Sequence, residues 1–336
     1  MEKYITSQHR YYTLDYYLKD RFQKKVFKVA LNGNFTCPNR DGTISKYGCI
    51  FCSPSGSGDF AGDPHDSLER QFTTVKSIIH EKWPDALYIA YFQANTNTYK
   101  PLSELKALFE EAITLDKNIV ALSIATRPDC LSPDIVSYLG ELNKRIPVWI
   151  ELGLQTSNEA TALLINRGYK LDIATDAISR LRKQNLEVIV HIINGLPLET
   201  ESDMYETIKY LNKQDIQGIK IHSLFVLKGT ILASMYNNNE FKMMTLDEYV
   251  KVTARQLALL KPSVVVHRIS GDAPKELLIA PLWSEKKLVV MNELDKYMKL
   301  NNIYQGMDYK KDDPAIYIRV LSNGSFENQL LQLMLH

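Results

Sequence analysis

Six apolar runs, at 28–35, 87–94, 119–126, 148–155, 187–195 and 218–226, recur along the chain, separated by amphipathic segments at 67–81, 101–115, 133–144, 157–165, 172–184 and 201–212. The runs are rich in Val and Ile and nearly continuous in apolar character. Such runs, each followed by a helix pattern, predict βα units and a parallel sheet covered on its outer face. Local signals agree: Thr156 with Glu159 has capping-box spacing after the fourth run, and Thr200 with Asp203 repeats it after the fifth. Periodicity leaves open whether the six units lie flat or curl into a partial barrel. After Leu227 the rhythm changes to a helix at 245–260, a short strand at 264–269, a helix near 285–300 and a late strand at 315–321. The expected organisation is a helical N-terminal segment at 1–26, an α/β body at 27–230 and a C-terminal α+β extension at 231–336 packed on that body.

Charge narrows the function. With 40 Lys plus Arg against 39 Asp plus Glu the net charge is +1, so the global footprint of a dedicated nucleic-acid binder is missing. A local basic face stands out at the start, where Lys3, Arg10, Lys19, Arg21, Lys24 and Lys25 interleave with five tyrosines before Val26. It reads first as an amphipathic helix packing its aromatics on the body, and second as a nucleic-acid surface. No apolar run approaches the roughly 18 residues of a membrane span, and the start MEKYITSQHRYY lacks the layout of a signal peptide. A soluble, cytoplasmic protein with no membrane partner is expected.

The chemistry lies in the cysteines. Three of the four, Cys37, Cys49 and Cys52, are bunched in NGNFTCPNRDGTISKYGCIFCSPSGSGDF, a loop at the C-terminal end of the first predicted strand. That end is where α/β barrels keep their chemistry. The spacing C-x11-C-x2-C supplies three thiolates and no obvious fourth ligand. A structural zinc closes its tetrahedron with four, whereas an iron–sulfur cluster one ligand short keeps an iron open for a small molecule. His65 and the distant Cys130 could rescue the zinc reading; Cys130 also reads as an inert thiol near a strand end.

Three cysteines after the first strand, with an aromatic just before the last (Ile50-Phe51-Cys52), resemble the radical SAM superfamily, and the widened first interval resembles its Elp3-like branch. The resemblance implies a partial (β/α)6 TIM barrel, a [4Fe–4S] cluster on Cys37, Cys49 and Cys52, and S-adenosylmethionine on the open iron, cleaved reductively to a 5′-deoxyadenosyl radical. Further motifs carry it. ELGLQTSNEATALLINRGY, at 151–169, is similar to a pattern in which Gln155 sits near the ribose and Arg167 pairs with the cofactor carboxylate. HIINGLPLET, at 191–200, resembles the fifth-strand motif, with Ile193 against adenine, Gly195 allowing backbone approach, and His191 near the ribose or simply buried. YFQANTNTYKP, at 91–101, stands where a glycine-rich segment usually receives the amino group; Gln93, Asn95 and Thr96 would replace it, or shape a turn. Phe51 and Leu224 join the cofactor set. Lys220, His222, His267, Arg268 and Asp272, from IKIHSLFVLKGT and VVVHRISGDAPKELLIAPLW, are substrate candidates at the expected mouth.

Whole-chain similarity looks like the YtqA-type group, the MnmL family. That implies transfer RNA carrying carboxymethylaminomethyl-uridine at the wobble position, from which the carboxymethyl part is removed to leave aminomethyl-uridine. An electron donor such as flavodoxin or ferredoxin is implied as a partner. Lys19, Arg21, Lys24 and Lys25 are the first candidates to meet phosphates beside the splayed base. Two rivals stand beside this reading: the same radical chemistry on a peptide or small metabolite, and a non-catalytic zinc-binding interaction module.

Overall fold

The computed structural model describes residues 4–6, 9–53, 55–56 and 58–310. Its elements run α1 (Leu14–Phe22), β1 (Val26–Leu31), α2 (Leu68–Lys82), β2 (Leu87–Phe92), α3 (Leu102–Thr114), β3 (Ile119–Thr126), α4 (Pro133–Asn143), β4 (Val148–Gln155), α5 (Glu159–Leu164), α6 (Leu171–Lys183), β5 (Glu187–Asn194), α7 (Glu201–Asn212), β6 (Gly218–Ser223), β7 (Val226–Leu227), α8 (Ile231–Asn237), α9 (Leu246–Leu259), β8 (Val265–Arg268), β9 (Leu278–Ala280) and α10 (Lys287–Leu300). Strands β1 to β6 pair in chain order and β8 follows β6, every pair parallel, so the sheet has seven strands. The sheet curls into a partial barrel. The expected strand at 264–269 therefore completes the sheet as β8, and does not lie outside it.

Alternation explains the layering. In β4, Val148, Ile150, Leu152 and Leu154 join the main core between sheet and helices, while Trp149, Glu151, Gly153 and Gln155 point inward. Val188, Val190 and Ile192 of β5 and Ile219 and Ile221 of β6 repeat the outward set. The inner face begins with an apolar layer of Val26, Ile89, Ala121, Trp149 and Ile189, and Leu18 of α1 packs into it. Helix α1 thus plugs the N-terminal end of the barrel. Tyr17 reaches the Glu187 carboxylate at 3.0 Å and stacks obliquely on Trp149, which bears out the amphipathic reading of this segment.

Boundaries shift where side chains bind backbone. Strand β1 ends at Leu31 because Gln71 of α2 takes both the Asn32 N–H and its carbonyl, pulling the chain out of the sheet. The capping box of Thr200 with Asp203 is present. The one expected at Thr156 is not: Asn158 caps α5, while the Thr156 hydroxyl accepts from the Asn158 N–H and donates to Glu199. The run at 218–226 breaks at Leu224, after which Val226–Leu227 pairs antiparallel with β9. The strand expected at 315–321 lies outside the described residues. No helix among the described residues is long and apolar enough to cross a membrane.

Candidate functional site

Above the apolar layer the inward positions turn polar. Lys28, Tyr91, Ser123, Glu151, His191 and Lys220, one from each of β1 to β6, form a belt, and above it a cavity of about 250 Å³ opens at the C-terminal ends of the strands. Glu151 is the hub. Its 1% exposed carboxylate takes Lys28 and Ser123 on one oxygen and His191 and Lys220 on the other, with Ser123 and His191 at 2.8 Å. Burial alone would raise its pKa, but Lys220 and Lys28 hold it well below the usual carboxylate range. Both ammonium groups lie close to the Tyr91 ring, 4.7 and 4.8 Å from its centre. Burial pushes Lys220 down to about 7 and His191 to about 4, so the imidazoles of the belt and of neighbouring His222 are neutral near pH 7.

The cysteine loop between β1 and α2 forms the upper wall. Cys37, Cys49 and Cys52 all line the cavity, and none is in a disulfide. The loop is anchored from both sides. Asn39 donates to the Asn166 carbonyl at 2.6 Å and to the Cys49 sulfur at 3.6 Å, while Asn166 donates to the Gly48 carbonyl at 2.6 Å. Arg40 binds the Ser53 carbonyl at 2.7 Å. Gly56 touches Asn95 so closely that an added Cβ would come within 2.2 Å of its Oδ1, and its φ of +70° suits glycine. The Cys49 thiol lies below its ordinary value because Cys52 donates to it, with Arg127 helping against burial; Cys52 is raised well above for the reciprocal reason. Three thiols on one cavity with Arg40 and Arg127 beside them fit a cluster with three protein ligands, because the thiolates such a cluster requires would meet nearby cations. His65 is exposed and, like Cys130, does not line this cavity, so neither completes a fourth ligand position there.

The model of the Radical SAM superfamily matches residues 40–211, and that of the Radical_SAM C-terminal domain matches 216–300. The chain belongs to the radical SAM superfamily. Among relatives it is 49% identical over 308 residues to the uncharacterized protein YtqA of Bacillus subtilis, covering 92% of this chain and 95% of that protein. It is 34% identical to protein YhcC of Escherichia coli strain K12, covering 85% and 91%. The structure of Elp3 from the archaeon Methanocaldococcus infernus superposes with a TM-score of 0.64 at 18% identity, covering 84% of this chain and 64% of that one, which shows a shared fold. Radical SAM proteins in general bind S-adenosylmethionine and a [4Fe–4S] cluster.

Most of the radical SAM positions singled out in the sequence meet at the cavity: Phe51, Gln93, Asn95, Thr96, Gln155 and His191 line it, as do Lys220, His222 and Arg268. Four do not. Arg167 is 1% exposed and spends its guanidinium on the carbonyls of Leu154, Thr156 and Tyr169 and on Glu159, so it braces the loop after β4 and does not face the cavity. His267 packs edge-on against Trp149 in the layer below, and Ile193 and Leu224 form an apolar cluster beside the cavity with Phe51. Asp272 stands outside as the partner of Arg268 at 3.3 Å and Lys287 at 3.1 Å. Gly195 adopts φ +86° against Met244. Sequence reading missed Glu151, Lys28, Tyr91 and Arg127. Arg127 lines the cavity, forked onto Asp129 at 2.7 and 3.0 Å. The available signals were single charges inside apolar strands, at Lys28, Glu151 and Lys220, and the Arg-Pro-Asp that ends β3.

The N-terminal cations are not at this mouth. Lys19 and Lys25 pair with Asp15, Arg21 pairs with Glu187, and α1 lies at the opposite end of the barrel from the cysteine loop. The expectation that these residues flank a base entering the cavity is corrected: the helix buries its apolar face under the barrel, and its charges point away from the site.

Proposed function

We propose that Cys37, Cys49 and Cys52 ligate a [4Fe–4S] cluster, that Gln93, Asn95, Thr96 and Gln155 orient S-adenosylmethionine beside it, and that the substrate is the wobble uridine of a transfer RNA. The reaction would remove the carboxymethyl part of carboxymethylaminomethyl-uridine as glyoxylate: its methylene would give up a hydrogen atom to the cofactor-derived radical and an electron back to the cluster, and water would hydrolyse the resulting imine to leave aminomethyl-uridine. The observation that carries the reading is the meeting of three free thiols and the polar side chains following β2 and ending β4 on one cavity. The group, when bound, supplies radical hydrogen abstraction from an unreactive carbon. The chain's own residues do the rest. Asn39 and Arg127 favour thiolate on the loop, while Phe51, Ile193 and Leu224 offer an apolar face for a purine ring. The loop anchors at Asn166 and Arg40 keep the wall in place while a base enters. The choice of transfer RNA rests on the family resemblance carried by the sequence motifs, and flavodoxin or ferredoxin is the proposed electron donor.

Anaerobic reconstitution followed by incubation with transfer RNA tests both parts. The expected result is a brown protein with roughly four irons per chain, reductive cleavage of S-adenosylmethionine, and conversion of the modified wobble nucleoside seen by mass spectrometry. A colourless protein holding one zinc would overturn the enzyme reading. Iron-loaded protein that cleaves the cofactor but leaves the nucleoside unaltered would move the substrate to a peptide or small metabolite.

A further inference from the structure

The belt under the cavity carries more positive charge than it neutralises. Lys28 and Lys220 share the single carboxylate of Glu151, so within the belt two cations meet one anion whenever Lys220 is protonated, while Arg268 reaches the cavity rim and pairs with Asp272 outside it. Lys220 is 6% exposed, and a buried ammonium without a full counter-charge is costly. The histidines do not relieve it, because burial keeps His191 and His222 neutral. One further group is left open: Nε2 of His222 is closed off from solvent, has no hydrogen-bond partner, and belongs to a ring that lines the cavity. The thiols above do not account for the surplus, since Arg40 and Arg127 stand beside them on the upper wall. A neutral occupant would leave the surplus unanswered. A carboxylate would answer it, accepting from Lys220 and Arg268 and from the His222 ring in its Nε2–H tautomer.

We propose that Lys220, His222 and Arg268 form a carboxylate-binding subsite on the β6–β8 side of the cavity, which takes the carboxylate of the substrate while Glu151 acts as a positioning residue for Lys220. This rests on the proposed function for the identity of the substrate but not for the existence of the subsite. A carboxylate could also come from the methionine part of S-adenosylmethionine, so the source must be separated by measurement.

The test uses cluster-loaded protein with S-adenosylmethionine present, comparing wild type with Arg268→Gln and His222→Phe. These two side chains are not part of the Glu151 ion pairs, and circular dichroism checks that both variants keep the fold. In the first arm, N-methylglycine should raise Tm in the wild type, dimethylamine should not, and both variants should lose the rise. In the second, the KM for transfer RNA bearing carboxymethylaminomethyl-uridine should rise about ten- to a hundredfold in Arg268→Gln, the usual effect of losing a charge-assisted hydrogen bond. The dissociation constant of S-adenosylmethionine should stay within about twofold. A rise in that constant with no change in KM would assign the subsite to the cofactor and overturn the proposal. So would a wild type that responds equally to N-methylglycine and dimethylamine. If N-methylglycine binds as expected but transfer RNA is not turned over, the subsite stands and the proposed substrate falls.

Discussion

Replacing Glu151 by Gln keeps the shape of the hub and removes its charge. The structure sets the size of the effect, because Lys28 and Lys220 would be left facing one amide beside the Tyr91 ring. Breaking one side of a buried ion pair costs about 3 to 5 kcal/mol. With an unfolding entropy of roughly 2 cal/mol/K per residue, a chain of this length should lose about 4 to 8 °C in Tm. The loss depends on pH in a definite direction. In the unfolded chain Lys220 stays protonated through pH 6 to 9, whereas burial lowers it to about 7 in the fold, Glu151 only partly opposing. The folded state therefore binds fewer protons above pH 7, and stability contributed through Lys220 rises as pH climbs from 7 towards 10. At pH 6 the wild type holds a charged pair that the variant lacks. At pH 9 Lys220 is neutral in both proteins, and only the Lys28 pair separates them. Thermal unfolding followed by circular dichroism at pH 6 and pH 9 should show the larger difference at pH 6, and Lys220→Met added to Glu151→Gln should restore part of the loss. Equal Tm values for wild type and variant at pH 6, or a difference that grows towards pH 9, would refute the account of the belt.

Other predictions concern the upper wall and the far end of the barrel. Alanine at Cys37, Cys49 or Cys52 should abolish iron binding on reconstitution while circular dichroism stays unchanged; Cys130→Ala should retain iron, since that half-buried thiol lines a different pocket and is pushed up to about 12 by desolvation. Arg167→Ala should lower stability by about 2 to 4 kcal/mol in urea titration, because three backbone carbonyls lose their donor. By contrast, Arg127→Ala removes the cation that favours the Cys49 thiolate and should lower iron retention on reconstitution with a smaller change in stability. Neutralising Lys19, Arg21, Lys24 and Lys25 together should leave the salt dependence of transfer RNA binding unchanged, because helix α1 lies beneath the barrel; a flattened slope would place RNA at that end.

The sequence by itself determined the six βα units and the cysteine loop, for a local reason. A fully covered strand reads as a continuous apolar run, a helix reads as a 3.6-residue stripe, and C-x11-C-x2-C is a spacing along one loop. It left the first segment with two readings, an amphipathic helix and a nucleic-acid surface, and only the fold placed the helix at Leu14–Phe22 beneath the barrel. Only the tertiary structure decided what depends on register between distant strands. Lys28, Glu151, His191 and Lys220 are separated by up to 192 positions, and they meet only because seven parallel strands curl until their inward positions share one axis. The two arginines show the same limit. The family resemblance pointed to Arg167, but a guanidinium serves a carbonyl cradle as well as a carboxylate, and the fold buried Arg167 in the first while giving Arg127 the cavity. The seventh strand was visible as a short apolar stretch, and its place beside β6 was not, because nothing local distinguishes a strand that extends a sheet from one that packs outside it.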